Sequence, residues 1–346
     1  MNGNPHRQSG VTLTELMVAL ALSILLLGSV GQVFLSTKET YKTQETLSRL
    51  QENMRFALTK VVEDLQTAGF AGCAKSAKSG TSNVTSVLNV SAGTATPHDY
   101  THAIWGVESG SNSQDEIYVR HALGGSALEI DRGSSTKTSY AFSSTRYDAL
   151  PEDLQIEQWD VAAATDCEKT LVFLVTNDPD ADDSADVGNS TAPSDEETEG
   201  LTNGTVSDTA QPGTSPFQLA VLYKVEAVRY YVDDNPSAPS GSTVRTLYRQ
   251  VGSSAGQPLV DGVQTFNLTY GEDTTGDGNA DTYSRWDQIT TNARRQSIVS
   301  VRVALEVNDG LPIADATVSS AGVAEAAADF KSMLVTVRLR NRFGSG

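Results

Sequence analysis

Residues 10–35 read GVTLTELMVALALSILLLGSVGQVFL. From Leu16 to Thr37 the chain contains no charged residue, a run of 22 positions. At a rise of about 1.5 Å per residue, a helix over residues 16–35 is about 30 Å long, which matches the hydrocarbon thickness of a bilayer. Residues 1–10 are polar and include Arg7. A basic leader predicts that the N-terminus stays in the cytoplasm while the rest of the chain is exported.

A carboxylate at the edge of this apolar run is unexpected for a simple membrane anchor. Glu15 lies five residues after Gly10 and directly precedes Leu16. Burying a carboxylate in lipid costs a few kcal/mol, so an ionisable residue at this depth is a candidate functional residue. The alternative is a half-solvated interfacial glutamate with no role.

The sequence Gly10-Val-Thr-Leu-Thr-Glu15, followed by a long apolar helix, resembles the class III signal of type IV pilins and type II secretion pseudopilins. The resemblance implies that prepilin peptidase cuts between Gly10 and Val11 and methylates Val11. In a fibre the Glu15 carboxylate would then pair with the N-terminal ammonium of a neighbouring subunit, which offsets the cost of burying either charge alone. Val11 stands where the family usually has Phe, and Thr14 stands where an aliphatic residue is commoner.

The helix is predicted to continue beyond the apolar run. Over residues 36–68, apolar side chains recur at spacings of three and four, the pattern of one face of an amphipathic helix. Gly69 ends the pattern, as expected for a helix C-terminus. The apolar residues of this face are Leu47, Leu50, Met54, Ala57, Leu58, Val61 and Leu65. We expect this face to pack against a globular head.

After this helix the sequence contains short candidate strands and no alternating helices. The candidates cover residues 116–120, 171–176, 220–232, 244–249, 263–270, 298–307 and 333–340. One long helix followed by strands favours an α+β fold with an antiparallel sheet. The predicted organisation is a leader (1–10), a transmembrane and fibre-core helix (11–35), its amphipathic continuation (36–68) and a β-rich head (69–346). An acidic, Ser-, Pro- and Gly-rich stretch at about 177–215 is predicted to be an exposed mobile loop in that head.

Several further segments resemble the PilW family of minor type IV pilins. They are TYKTQETLSRLQENMRFAL followed by AGFAGC, TDCEKTLVF, YGEDTTGDGNAD and the C-terminal VTVRLRNR. The pilin resemblance implies a long N-terminal helix laid on a head domain, anchored in the inner membrane before assembly and carried into the pilus afterwards. It implies a role in priming assembly at the pilus tip, in support of twitching, adhesion or DNA uptake. The implied partners are other minor pilins, the major pilin, a tip adhesin, prepilin peptidase and the inner-membrane assembly platform.

Cys73 and Cys167 are the chain's two cysteines, and both lie in segments that resemble PilW. An exported head lies in an oxidising compartment, where we expect these cysteines to form a disulfide; the alternative is two unpaired buried thiols. Closing a loop of about 94 residues adds on the order of 4 kcal/mol in the chain-entropy model.

Oxygen-bearing side chains alternate in the stretch from residue 273 to residue 281. Asp273, Thr275, Asp277, Asn279 and Asp281 surround Gly278, which resembles an EF-hand-type calcium loop. Thr275 is a weaker ligand than Asp, and the twelfth loop position is a serine instead of a bidentate glutamate. Weak Ca²⁺ binding and a polar turn without metal both remain open.

His98 and His102 have the spacing of a helical zinc pair, but Pro97 precedes them and no helical pattern follows. A surface loop is therefore predicted for this histidine pair. No nucleophile, phosphate-binding or metal-hydrolase motif stands in a suitable context, so the sequence predicts a non-catalytic protein without a required cofactor.

The chain has 25 Lys and Arg against 43 Asp and Glu, a net charge of −18. Binding to nucleic acid through the bulk surface is excluded, because neutralising phosphates requires a basic face. Two alternatives to the minor pilin remain: a pseudopilin of a type II secretion system, and a membrane-tethered binding protein that uses calcium. Pseudopilins share the N-terminus but are usually much shorter.

Overall fold

The structure is a computed structural model of the full chain. It describes residues 13–72, 84–90, 97–100, 102–108, 114–131, 133–166, 169–193, 201–206, 220–238, 244–308 and 331–340. The chain divides into two compact units, Met1–Gln51 and Glu52–Gly346. In the first unit the described residues form a helix, and the second unit, called the head below, contains the end of that helix and all the strands.

Helix α1 covers Leu13–Thr67, which confirms the predicted continuous helix of about 55 residues. No proline interrupts this span, and leucine, alanine and methionine favour helix throughout it. The helix is followed by Gly69, which adopts a positive φ of 75° and donates its backbone N–H to the Arg120 carbonyl at 2.9 Å. A left-handed glycine is a common way to end a helix, so the predicted stop is confirmed.

The last turns of α1 lie in the head. Met54, Ala57, Leu58, Val61 and Leu65 are each at most 3% exposed. These residues follow one another at spacings of one, three and four, so they form a single face of the helix. The predicted apolar stripe is confirmed over these residues.

The remaining elements of the described residues are mostly strands, with a few very short helices between them. In chain order they are β1 (Val84–Ser86), β2 (Ile104–Val107), β3 (Glu116–Ala122), β4 (Leu128–Glu129), β5 (Ser139–Ala141), α2 (Ser144–Tyr147), β6 (Val161–Thr165), β7 (Thr170–Leu174), α3 (Pro179–Asp182), β8 (Ser184–Asp186), β9 (Val221–Asp234), β10 (Arg245–Val251), β11 (Gln257–Asp261), β12 (Val263–Glu272), β13 (Thr282–Ser284), α4 (Asn292–Gln296), β14 (Ile298–Val307) and β15 (Lys331–Arg338).

Two main sheets organise the described part of the head. The larger follows the order β1-β7-β6-β9-β10-β11, with β3 and β4 also paired to β9 and β2 paired to β3. The smaller follows the order β13-β12-β14-β15, and β5 and β8 form a separate ribbon. All these pairs are antiparallel except β1 with β7. One long helix followed by antiparallel sheets confirms the predicted α+β, pilin-like fold.

Strand β14 shows how the sequence pattern places the core of the smaller sheet. Val301, Val303 and Leu305 are at most 1% exposed, whereas the intervening Arg302 and Ala304 are half-buried. Side chains of a strand point alternately to its two faces, so this alternation puts the aliphatic residues on the packed face. The predicted half-buried strand is confirmed with the bounds that were expected.

The prediction of an exposed loop at about 177–215 is wrong for its first part. Helix α3 and strand β8 lie in this stretch, and Ala185 and Val187 are buried in one apolar core cluster with Tyr140 of β5. The Asp178 side chain caps α3 by accepting from the Asp180 N–H, and Asn177 bonds both the N–H of Asp186 and the carbonyl of Ser184. Local acceptors therefore turn the acidic chain back on itself, which lets two small apolar residues insert. Residues 194–200 and 207–219 lie outside the described part.

Candidate functional site

The first half of α1 is apolar around its whole circumference, and its side chains are exposed among the described residues. Every residue from 13 to 35 is exposed, with Leu16 55%, Leu25 72% and Phe34 68% exposed. Within the described residues, α1 is long and apolar enough to cross a membrane. A surface helix of a globular protein has one apolar stripe, whereas a helix that is apolar all round is buried in lipid or among other helices. This half of α1 therefore has the apolar surface of a helix that lies in lipid or packs among other helices.

Three hydroxyls in and just after this segment are bonded to the backbone of the helix itself. The hydroxyls of Ser23, Ser29 and Thr37 donate to the carbonyls of Ala19, Leu26 and Val33 at 2.7 to 2.8 Å. Hydroxyls bonded to their own backbone add little cost in an apolar environment, where an unpaired polar group costs several kcal/mol. These residues are therefore compatible with a lipid-embedded or fibre-buried helix.

Glu15 lies in the first turn of α1. The unsatisfied N–H groups of a first turn carry partial positive charge, which favours a carboxylate there. The predicted cleavage and methylation positions, Gly10 and Val11, lie outside the described residues. The pairing predicted for Glu15 involves another subunit, so it stays a prediction.

Asp64, near the end of α1, belongs to a buried polar cluster in the head. The Tyr230 hydroxyl donates to Asp64 Oδ2 at 2.6 Å, and Arg249 Nε donates to the same oxygen at 2.9 Å. Burial and the Asp64 charge raise the pKa of Tyr230. Burial alone lowers the pKa of Arg249, but the bond to Asp64 outweighs it and raises that pKa. Tyr230 is therefore neutral and Arg249 charged, so Asp64 accepts one hydrogen bond from a neutral hydroxyl and two from a guanidinium, the longer of which joins Arg249 Nη2 to Oδ1 at 3.5 Å.

The prediction of a surface loop for the histidine pair is wrong, since His98 and His102 are each 6% exposed. Arg120, 2% exposed, donates to the carbonyls of Pro97 and His102 at 2.7 and 3.0 Å and holds this segment against β3. Burial lowers the pKa of Arg120 to about 10, so the guanidinium remains charged. Burial and the nearby Arg120 charge lower the pKa of His98 to about 4, so this imidazole is neutral near pH 7. The histidines are thus part of the packed interior.

The predicted calcium loop forms a turn in which the carboxylates already accept loop N–H groups. Asp273 accepts from the N–H groups of Gly276 and Gly278, and Asp281 Oδ2 accepts from the Thr274 N–H, the Thr274 hydroxyl and the Thr275 N–H at 2.7 to 3.0 Å. Gly276 and Gly278 have φ values of 81° and 86°, which only glycine adopts freely.

These bonds have an electrostatic consequence. Burial raises the pKa of Asp273, but the backbone bonds from Gly278, Gly276 and Asp277 outweigh it and lower the pKa. Bonds from Thr274 lower the pKa of Asp281. Both carboxylates are therefore ionised, as Ca²⁺ binding would require. Their oxygens, however, already accept hydrogen bonds from the loop itself, as they do in a polar turn without metal. Among the described residues, no group of three or more His, Cys, Asp or Glu side chains is arranged to hold a metal ion. Calcium binding at this loop stays a prediction.

Cys73 and Cys167 lie outside the described residues, so their predicted disulfide stays a prediction as well. Residues next to them in sequence do meet. The Thr170 hydroxyl donates to the Ala71 carbonyl at 3.2 Å, and the Gly72 Cα packs against the Thr165 side chain so closely that a Cβ there would lie 2.5 Å from Thr165 Cγ2.

Sequence reasoning missed Asp64 and its partners, although a signal was present. Asp64 follows Val61 by three positions and Ala57 by seven, so it falls on the apolar stripe of α1. A charged residue on such a stripe predicts a buried partner. No comparable signal marks Tyr230 or Arg249, because their contacts with the helix span 166 and 185 residues.

Comparison with known families gives matches at both ends of the chain. Residues 229–341 match the family described as type IV pilus-assembly protein W, PilW, which covers the chain from within β9 to beyond β15. Residues 5–31 match the prokaryotic N-terminal methylation motif, which includes Glu15 and the start of α1. No curated protein and no solved structure matches this chain. The chain is therefore similar to type IV pilus-assembly protein W over residues 229–341, and it carries a prokaryotic N-terminal methylation motif that runs into the exposed apolar half of α1.

Proposed function

We propose that this protein primes the assembly of a type IV pilus as part of a complex of minor pilins at the fibre tip. The observation that carries the proposal is the exposure of every residue from 13 to 35 in a chain with a prepilin methylation motif. Before assembly this segment lies in the inner membrane, with the head in the periplasm. During assembly it leaves the lipid and packs among the helices of other subunits, which keeps its apolar surface away from water.

The proposed mechanism has a covalent step and an electrostatic step. Prepilin peptidase hydrolyses the peptide bond between Gly10 and Val11 with one water molecule, and the new amine takes a methyl group from an electrophilic methyl donor and releases a proton. The Glu15 carboxylate then pairs with the N-terminal ammonium of a neighbouring subunit. The position of Glu15 supports this step, since it lies in the first turn of α1 and only four positions after Val11 in the sequence.

The proposed partners are other minor pilins, the major pilin, a tip adhesin, the peptidase and the inner-membrane assembly platform. PilW is a family of pilus-assembly proteins, and we propose a non-catalytic role for this chain too. Adhesion, twitching motility and DNA uptake would follow indirectly, because each depends on an assembled fibre. The acidic surface, with a net charge of −18, argues against direct DNA binding by the head.

Two measurements on cells test the proposal. Mass spectrometry of the mature N-terminus should show a methylated Val11, and an intact leader would rule out every pilin interpretation, leaving a membrane-tethered binding protein. Deleting the gene should reduce the number of surface pili and leave protein secretion unchanged. Normal pili with defective secretion would instead identify a pseudopilin of a type II secretion system.

A further inference from the structure

The head contains a cavity of about 450 Å³ to which the pilin role assigns no occupant. Its wall is formed by residues preceding and beginning β6, by the first half of β9 and by the turn after β10. Small-molecule and side-chain sites in proteins have volumes of about 300 to 1,000 Å³. The cavity is therefore large enough for a ligand, and its lining indicates which kind.

Carboxylates dominate the charge of this wall. Asp153, Glu157 and Glu226 line the cavity, and none of them forms an ion pair with another residue of the described part. Asp160 is also in the wall, but Lys224 Nζ lies 2.8 Å from its Oδ2 and neutralises it. The cavity therefore retains three uncompensated negative charges, which favour a cationic occupant.

An aromatic side chain shares the wall with these carboxylates. Trp159 has a φ of 74°, a left-handed conformation that is rare for a bulky residue. Two backbone hydrogen bonds to Val175 fix this conformation. The Trp159 N–H donates to the Val175 carbonyl and the Val175 N–H donates to the Asp160 carbonyl, each at 2.8 Å. Strain of this kind persists where the surrounding structure enforces it, often at binding sites. An indole beside carboxylates suits a cation, since an aromatic face attracts positive charge.

His98 adds an independent observation. It lines the same cavity, it is 6% exposed, and neither of its ring nitrogens has a hydrogen-bond partner among the described residues. Buried polar atoms are almost always satisfied, so an orphaned one calls for a ligand or water. The neutral ring has one nitrogen with a free lone pair, which accepts a hydrogen bond from an N–H donor.

We propose that this cavity binds an alkylammonium group, the terminal amine either of a lysine side chain on a partner protein or of a free polyamine. Glu157 and Glu226 supply the opposite charge, and Trp159 supplies an aromatic face. The neutral His98 ring accepts a hydrogen bond from one of the three N–H groups of the ammonium. An ammonium fits better than a metal ion, because no three metal-ligating side chains converge anywhere in the described residues. The site is separate from the N-terminal motif, so it stands whether or not the pilus role is confirmed.

The test uses the full-length protein in detergent, titrated by calorimetry and tryptophan fluorescence. The probes are cadaverine, Nα-acetyl-lysine methylamide and the uncharged Nα-acetyl-norleucine methylamide. We expect the amines to bind and the norleucine derivative not to bind. The double variant Glu157→Gln/Glu226→Gln should weaken amine binding about tenfold or more, because two opposite charges are lost. The control Asp148→Asn removes an exposed charge outside the wall and should bind as the wild type does.

Trp159→Phe should remove the fluorescence response while Trp105 and Trp286 continue to emit. Binding of cadaverine without the lysine derivative would identify a free amine as the occupant, and tighter binding of the lysine derivative than of cadaverine would identify a partner's lysine. Equal binding of charged and uncharged probes would overturn the proposal, as would an unchanged affinity in the double variant when its circular dichroism shows it is folded.

Discussion

Asp64, in the last turn of α1, accepts a 2.6 Å hydrogen bond from the hydroxyl of Tyr230 in β9. The same oxygen accepts from Nε of Arg249 in β10, and Tyr230 itself is fully buried. The end of the helix is thus joined to two adjacent strands of the large sheet by one carboxylate. The contact lies in the head, since all three residues belong to the second compact unit.

Replacing Asp64 with Asn should destabilise the head by about 2–3 kcal/mol, because the Arg249 guanidinium, 20% exposed, loses its counter-charge. Tyr230→Phe should cost less, about 1–2 kcal/mol, since the Asp64–Arg249 pair survives it. Chemical unfolding followed by circular dichroism measures both. The control Lys60→Gln breaks an exposed ion pair on the same helix and should cost less than about 0.5 kcal/mol. Equal losses in all three variants would mean that the cluster has no special role.

The buried His98 should make the head less stable in mild acid. Its pKa is about 4 in the folded chain against 6.5 in the unfolded chain. Between these values the unfolded chain binds a proton that the folded chain does not. The contribution of His98 to the free energy of unfolding is therefore complete above pH 6.5 and is lost as the pH is lowered toward 4. The full loss from this group is about 3 kcal/mol.

Urea midpoints at pH 7.5 and 4.5 measure this effect. His98→Phe removes the titrating group and should show a smaller difference between the two midpoints than the wild type, whereas Asp148→Asn should keep the wild-type difference. An identical pH dependence in wild type and His98→Phe would show that another group is responsible.

The sequence predicted elements whose residues repeat with a clear period and missed those that do not. Strand β14 alternates, and α1 combines an apolar run with a stripe, so both were predicted. Strand β6 reads VAAAT, and all five residues are buried. It was missed because alanine has low strand propensity and a strand buried on both faces shows no alternation.

The candidate sites divide in the same way. Glu15 and the loop starting at Asp273 are read from local spacing, so the sequence located them. The burial of His98 and His102 depends on strands and loops that pack from distant parts of the chain, whereas local composition favoured a surface loop for this pair. Trp159 belongs to the cavity because of a left-handed backbone conformation that no residue type in its neighbourhood indicates.

Calcium should bind weakly, if at all, to the loop between Asp273 and Asp281. The ion must compete with N–H groups that already occupy both carboxylates, and a serine replaces the bidentate glutamate. Calorimetry with Ca²⁺ should give a dissociation constant no tighter than millimolar, and Asp277→Asn should weaken it further. Asp287→Asn, an exposed acid outside the loop, is the matched control. Micromolar affinity, or binding unaffected by Asp277→Asn, would contradict this expectation.

A disulfide between Cys73 and Cys167 should be present in the exported protein. The contacts of Ala71 with Thr170 and of Gly72 with Thr165 support the pairing, because they bring together residues near both cysteines. Peptide mapping without reduction should recover the linked peptides. Cys73→Ser and the double serine variant should be destabilised equally, by about 4 kcal/mol, since either one opens the same loop. Alkylation of both cysteines in unreduced protein would show that they are free.

Glu15→Ala should leave cleavage after Gly10 largely intact and impair incorporation into pili. The peptidase acts on the residues before Glu15, whereas assembly would use its carboxylate to neutralise a buried ammonium, and an unpaired charge in an apolar fibre core is costly. Glu15→Gln should behave like Glu15→Ala, because it keeps the size of the side chain and loses the charge. Glu15→Asp keeps the charge and should retain partial incorporation, which separates charge from shape.

Immunoblots of sheared pili and of inner membranes measure the partition of each variant. Normal incorporation of Glu15→Ala would refute charge pairing, and accumulation of uncleaved protein would place the role of Glu15 in recognition by the peptidase instead.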